Sequence, residues 1–252
     1  MILLKSPDEV EKMRHPGQIV GEAHRRVREA VRPGVTTLEL DELVEEFIRA
    51  EGGVPAFKGY RGYPASICAS VNEEVVHGIP GPKVLQDGDI VGVDIGVKAG
   101  GFYSDAAQTI AVGGGSAEVR NLLSVTREAL FQGIEQARVG NRVGDVSHAI
   151  QMYVERAGFS VVRTLVGHGI GRSMHEDPQV PNFGAAGKGP ELKAGMALAI
   201  EPMVNVGSRE VEVLDDAWTV VTADGSLSAH FEHTVAIHDE GPEILTNGAI
   251  PD

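Results

Sequence analysis

Two carboxylates stand in apolar surroundings where an isolated charge is costly. Asp94 lies in Val91-Gly92-Val93-Asp94-Ile95-Gly96-Val97, and Glu201 in Ala197-Leu198-Ala199-Ile200-Glu201-Pro202-Met203-Val204. Consecutive apolar residues read as strands covered on both faces. An acid there must be protonated, paired with Arg or Lys, or bound to a metal. Taken singly, each is as well explained by a structural ion pair as by a functional site. Two further acids change the balance. Asp105 follows a turn and precedes an apolar strand at 109–112, and Glu232 opens the last apolar strand in His230-Phe231-Glu232-His233-Thr234-Val235-Ala236-Ile237. Asp94 and Asp105 flank the Gly100-Gly101 turn, which would set them side by side on an antiparallel pair. Four carboxylates converging on one centre repel strongly without cations. Two divalent ions about 3.5–4 Å apart, bridged by carboxylates, resolve that repulsion.

His168 completes the set. It lies in Gly167-His168-Gly169-Ile170-Gly171, directly after the β-branched run at 161–166. Flanking glycines permit close backbone approach at a strand end. A lone histidine is more often a satisfied core or surface residue, but this setting favours a ligand. Four carboxylates and one imidazole form a mainly oxygen-donor site, which suits Mn, Fe(II), Co or Zn and does not discriminate among them.

The elements that must position these residues are legible in outline. Ser6-Pro7-Asp8-Glu9 is a capping box with proline in the first turn, and apolar residues recur from Val10 to Val27 at helical spacing. A second helix is predicted over 38–51, ending at Gly52-Gly53. Residues 54–112 read as β-rich, helices follow at about 117–137 and 143–157, and 159–238 return to strands. The order is thus helix, helix, strands, twice over. Three stretches repeat in the same order: the helix-end pair 31–52 and 138–158, the pair 85–94 and 192–201, and His77-Gly78-Ile79 with His168-Gly169-Ile170. A period near half the chain suits two similar halves about a pseudo-twofold axis rather than a solenoid. Residues 1–252 read as a single catalytic domain.

Composition narrows the class. The 252 residues are 42% hydrophobic and 23% charged, an ordinary globular mixture. With 22 Lys and Arg against 36 Asp and Glu, the formal charge of −14 argues against nucleic-acid specificity. One cysteine, Cys68, allows no internal disulfide, and no apolar run suits a signal peptide or membrane span. The expected compartment is the cytoplasm. No heptad or interface stripe is evident, which suits a monomer.

The set Asp94, Asp105, His168, Glu201 and Glu232 resembles, in order and spacing, the metal ligands of the type I methionine aminopeptidases, M24 metallopeptidases with the pita-bread fold. The resemblance covers essentially the whole chain. Its most specific stretches are Gly59-Tyr60-Arg61-Gly62-Tyr63-Pro64, Asn72-Glu73-Glu74-Val75-Val76-His77-Gly78-Ile79-Pro80, 167–171, His175-Glu176-Asp177-Pro178 and Ile200-Glu201-Pro202-Met203. It implies an α+β fold of two pseudo-symmetric halves, with a central antiparallel sheet flanked by helices. It also implies removal of the N-terminal methionine from nascent chains with a small second residue, near the ribosome. Two divalent ions would serve as cofactors, with attack on the first peptide bond by a water or hydroxide that bridges them. His77 and His175 would contact the scissile amide, and Glu201, besides ligating, would shuttle the proton. The pocket positions match Tyr60, Tyr63, Cys68 and Trp218. Phe57 and Met174 depart from the better-known bacterial members, where cysteine and phenylalanine are usual. The chain begins almost directly with the catalytic region, as expected of a minimal bacterial-type enzyme.

Three other readings compete. An Xaa-Pro aminopeptidase or prolidase shares the fold and ligands but usually carries an additional N-terminal domain. A non-catalytic binding module of this fold would typically have lost ligands. A two-metal phosphatase or nuclease would want a basic loop to cradle phosphate, which the sequence does not show.

Overall fold

The computed structural model describes residues 1–251; residue 252, the last of the span read as one domain, lies outside the described residues. The chain runs through α1 (Pro7–Ala30), α2 (Thr37–Ala50), β1 (Val54–Pro55), a 3-10 turn at Tyr60–Gly62, β2 (Ile67–Val71), β3 (Glu74–Val76), β4 (Ile90–Ala99) and β5 (Phe102–Ala111). It continues with α3 (Ala117–Gln136), α4 (Val143–Arg156), β6 (Ser160–Val161), β7 (Gly167–Gly169), β8 (Glu176–Val180), β9 (Ala197–Ile200) and β10 (Met203–Asn205). It ends with β11 (Val211–Val213), β12 (Val220–Thr222), β13 (Ser228–His230), β14 (His233–His238) and β15 (Gly241–Ile244).

Helix starts follow local chemistry. Ser6 Oγ accepts from Glu9 N while Glu9 Oε2 accepts from Ser6 N, which satisfies two otherwise unpaired donors of α1. Thr36 and Glu39 repeat the device on α2, so that helix begins at Thr37, one residue before its predicted start. Each helix pair covers its own sheet. Val20, Val27, Leu40, Val44 and Ile48 of α1 and α2 pack on Ile67, Val91, Val93 and Ile95. Leu122, Leu130, Ile134, Ile150 and Val154 of α3 and α4 pack on Leu198, Ile200, Val235 and Ile237. Truncating one such fully buried side chain, Leu40→Ala for example, costs about 2–5 kcal/mol.

The expected central sheet is divided into several ladders. One four-stranded sheet joins β1, β4, β2 and β5; a five-stranded sheet runs β15-β14-β9-β7-β8; and two three-stranded sheets flank them. The larger two, one from each half, meet along a seam between β5 and residues 230–234. Ala107 and Glu232 exchange both backbone hydrogen bonds there, at 2.9 and 3.4 Å. On either side a threonine hydroxyl replaces the next ladder bonds. Thr109 Oγ1 accepts from His230 N and donates to His230 O, and Thr234 Oγ1 accepts from Asp105 N and donates to Asp105 O. The two threonine arrangements are related by a local twofold through the Ala107–Glu232 pair.

Two expectations about strands need correction. Asp105 lies inside β5, which spans ten residues rather than beginning at 109, because the hairpin ladder runs unbroken from Ala99↔Phe102 to Ile90↔Ala111. Glu232 immediately precedes β14, the last apolar strand, rather than lying in it, and the short β15 pairs on after it.

Candidate metal centre and substrate pocket

Asp94 and Asp105 are not directly opposite. Asp94 faces Ala107 and Asp105 faces Gly96 in the register, which makes the two acids diagonal neighbours on one face of the hairpin. Glu232, at the seam, and His168, on β7, bring their ligand atoms to within 4.8 Å of one another and of Asp105. His168 Nε2 lies 3.7 Å from Asp105 Oδ2 and 3.6 Å from Glu201 Oε1. The five residues thus converge on one cavity, which they line together with Phe57, Tyr60, Arg61, Tyr63, Cys68, His77, Met174, His175 and Trp218.

Backbone proximity explains the glycines beside His168. A Cβ on Gly167 would lie 2.4 Å from Ala199 O, and one on Gly169 2.2 Å from Asp177 O. No side chain fits at either place, so the strand can press between β8 and β9 and hold the imidazole inward. His168 Nδ1 lies 2.9 Å from Gly169 O, an interaction that places the proton on Nδ1 and leaves Nε2 as an acceptor facing the acids.

The electrostatics call for a cation. Burial and the neighbouring Asp105 push the Asp94 carboxyl well above the usual carboxylate range, and burial followed by Asp105 and Asp94 does the same to Glu201. Glu232 is raised in like manner by burial and then Asp105, and Asp105 is pushed up to about 6, chiefly by burial. His168 is lowered to about 4 by burial, so it does not offset the acids as a cation. Asp94 Oδ1 is buried without a hydrogen-bond partner. Two buried carboxylates, Asp105 and Glu232, two partly buried ones, Asp94 and Glu201, a neutral imidazole with its free nitrogen turned inward and an orphaned carboxylate oxygen fit divalent cations well.

The cavity has a volume of about 160 Å³. Its apolar wall is the buried group Tyr63, Ala65 and Cys68, with Phe57, Ile79 and Trp218 packed against it. Trp218 meets Tyr63 edge to face at 5.0 Å and His77 at 6.4 Å. Tyr63 Oη donates its proton among two carbonyls, Ile67 O and Gly78 O, which fixes the ring. Cys68 pairs with Asp94 across β2 and β4, and burial together with that acid keeps its thiol protonated. Helix α2 holds the loop that carries this wall: Asp41 accepts from Ser66 N and Ile67 N, and Glu45 accepts from Ser66 Oγ and Lys58 Nζ.

The opposite wall carries His175. Its ring stacks on Tyr60 at 5.3 Å and lies 4.2 Å from the His168 ring, and Tyr60 Oη is 2.9 Å from His175 Nδ1. Desolvation by the cavity walls and the nearby His168 lower His175 to about 4. His77 adopts φ +60° just after β3 and is lowered by burial. All eleven residues singled out in the sequence therefore reach this cavity. Three further residues border the cluster. His230 presents Nε2, buried and otherwise unpartnered, 3.8 Å from Glu201 Oε2. Thr234 Oγ1 stands 3.1 Å from Asp105 Oδ1. Arg61 lines the mouth. The first lies two residues from Glu232 and the second two residues beyond it, and the alternation of a strand is the signal that would have found them.

Comparison with known proteins agrees with this geometry. Residues 11–239 match the model of metallopeptidase family M24, and the chain belongs to that family. A methionine aminopeptidase of Clostridium perfringens is 60% identical over 246 residues, covering 98% of this chain and 99% of that one. The crystal structure of a methionine aminopeptidase from Thermotoga maritima superposes with a TM-score of 0.96 at 51% identity, over 98% and 99% of the two chains. Within the family, this chain groups with the methionine aminopeptidases. The prolidase of Pyrococcus furiosus shares the fold, at a TM-score of 0.80 and 22% identity, and this chain covers 65% of its length.

Proposed function

We propose that this protein is a metallo-exopeptidase that removes the N-terminal methionine from nascent polypeptides whose second residue is small. The observation that carries the reading is the convergence of four largely buried carboxylates and His168 in a cavity with one apolar wall. Asp94, Asp105, His168, Glu201 and Glu232 would hold two divalent ions, with Mn, Fe, Co and Zn all compatible. Such ions supply Lewis acidity and a nucleophilic water at neutral pH.

The protein's own groups divide the remaining work. The metal-loaded acidic cluster would receive the substrate's free, uncharged α-amine, which limits cleavage to the first peptide bond. Tyr60, Tyr63, Cys68 and Trp218, with Phe57 and Met174, enclose the methionine side chain in an apolar, polarizable wall. With the Tyr60 hydroxyl donating to Nδ1, His175 keeps its proton on Nε2, ready to donate to the scissile amide. His77 serves the same developing charge from the Trp218 side. Glu201 would take a proton from the attacking water and pass it to the leaving amine. Nascent-chain substrates would place the enzyme near ribosomes, acting as a monomer in the cytoplasm. Among the described residues no helix is long and apolar enough to cross a membrane.

The test is release of free methionine from Met-Ala-Ser by protein stripped of metal and resupplied with Mn or Co, with Ala-Pro-Ser as control. Metal-dependent release from Met-Ala-Ser alone is expected. Cleavage of the control instead would transfer the chain to the prolidase branch.

A further inference from the structure

The cavity lining contains four carboxylates and one permanent cation, Arg61. Several cations of this acidic protein are paired, Arg14 with Glu243, Arg25 with Glu22, Lys58 with Glu45 and Lys83 with Glu74, while others stand free on the surface. Arg61 is distinguished by standing at the cavity. Its guanidinium is exposed at the cavity mouth and leans on the Tyr60 ring, with Cζ 5.3 Å from the centroid, and among the described residues it has no carboxylate partner. The backbone presents it deliberately. Residues Gly59, Arg61 and Gly62 all adopt positive φ (85°, 49° and 91°), a turn that lifts the Arg61 side chain onto the rim beside Tyr60. Tyr60 in turn touches His175.

That position has a direction. In the function proposed above, on which this inference rests, the free α-amine sits at the acidic cluster and the methionine side chain enters the Tyr63–Trp218 wall. The scissile amide then faces His175, and the rest of the substrate leaves past Tyr60 and Arg61. An extended chain advances about 3.3 Å per residue, so side chains soon after the second residue pass the rim. We infer that Arg61 is a specificity residue for the emerging chain, favouring substrates with Asp or Glu at the third or fourth position. An unpaired guanidinium offers planar, bidentate recognition of a carboxylate. It also counters, at this one point, the repulsion that a chain of net charge −14 exerts on acidic peptides. Because the pair forms in the open, the preference is modest, on the order of two- to fivefold for acid over neutral, and falls with salt.

The experiment compares kcat/KM for Met-Ala-Glu-Ser, Met-Ala-Ser-Ser and Met-Ala-Lys-Ser with the metal-loaded enzyme at low ionic strength, and repeats the series with the acid or lysine moved to the fourth position. The expected order is Glu above Ser above Lys at one of these positions. Arg61→Lys should keep the order, Arg61→Gln should abolish it, Arg61→Glu should reverse it, and 0.5 M salt should shrink it. A Glu-to-Lys ratio at or below one in the natural enzyme, or one that survives Arg61→Gln, overturns the proposal. Failure to release methionine from any of the three peptides overturns the proposed function, and this inference with it. Release from all three without the charge order removes the inference alone.

Discussion

Lys5 Nζ lies 2.7 Å from Glu176 Oε2, and the two side chains are only 4% and 5% exposed. The pair joins the start of the chain to the residue after His175. Glu176 Oε1 also accepts from Ser173 N, and Lys5 is held by its own N–H to Gly195 O. The chain ahead of α1 is thus a strap across the turn that carries Met174 and His175. Removing one partner of a buried pair leaves an uncompensated charge, at a cost of about 3–5 kcal/mol. Lys5→Met should therefore lower the melting temperature markedly, and the double replacement Lys5→Met with Glu176→Gln should recover most of it. Thermal denaturation of the three proteins distinguishes the cases; equal melting of Lys5→Met and the parent would show that the pair is not buried in solution.

Thr234→Val removes the hydroxyl that spans the seam and reaches the Asp105 carboxylate. Partners behind a metal ligand typically contribute ten- to a hundredfold in affinity. Calorimetric titration of the metal-free protein with Mn should show binding weakened by about tenfold or more, with the fold retained. Unchanged affinity would mean that Asp105 is held by its backbone alone.

Cation binding should expel protons. Asp94, Asp105, Glu201 and Glu232 all have carboxyl groups raised by burial, so in the metal-free protein they retain protons above the pH at which exposed acids lose them. A bound divalent ion favours the ionised forms. Metal affinity should rise with pH from about 5 to 7.5, and titrations in two buffers of different ionisation enthalpy should reveal net proton release.

Buried histidines outside the ligand set should add to the loss of stability that metal release brings in acid. His24 is lowered to about 4, and His230 and His233 to about 3, in each case chiefly by burial. Their folded values lie below the ordinary value near 6.5. The unfolded chain therefore binds more protons as pH falls from about 6.5 toward 4, and stability is lost over that window. Denaturant midpoints at pH 7 and pH 5 measure it; a midpoint that does not fall at pH 5 contradicts the assignment of neutral buried imidazoles.

Trp218→Ala opens the apolar wall without touching the acids. The kcat/KM for Met-Ala-Ser should fall about tenfold, in line with the loss of apolar pocket contact, while bound metal measured by elemental analysis stays the same. Equal loss of both would remove Trp218 from the substrate pocket.

The α1 cap, the two-half order and the convergence of Asp94, Asp105, His168, Glu201 and Glu232 were legible because each rests on local chemistry: a capping box, a helix–helix–strand succession, an acid in an apolar run, a histidine between glycines. What stayed hidden depends on long-range meetings. The reciprocal bonds of Thr109 with His230 and of Thr234 with Asp105 span 121 and 129 residues. The Lys5–Glu176 pair spans 171. No local pattern encodes them. How the antiparallel sheet divides into ladders is hidden for the same reason, since the strand content of 54–112 and 159–238 does not say where ladders stop. Ala106, Ala107 and Gln108 are weakly β-forming by themselves, yet the ten-residue register with β4 carries the strand through them to Asp105 and beyond.

The cavity takes Asp94 and Asp105 from the first half of the chain and His168, Glu201 and Glu232 from the second, across a seam joined at its centre by the backbone bonds of one residue pair. A cation gripped by both sides is a removable crosslink. Its binding energy adds to the cohesion of the halves by mass action, so starving the protein of metal should expose the seam to proteases. Metal supply would then set how long each molecule survives as well as how fast it works.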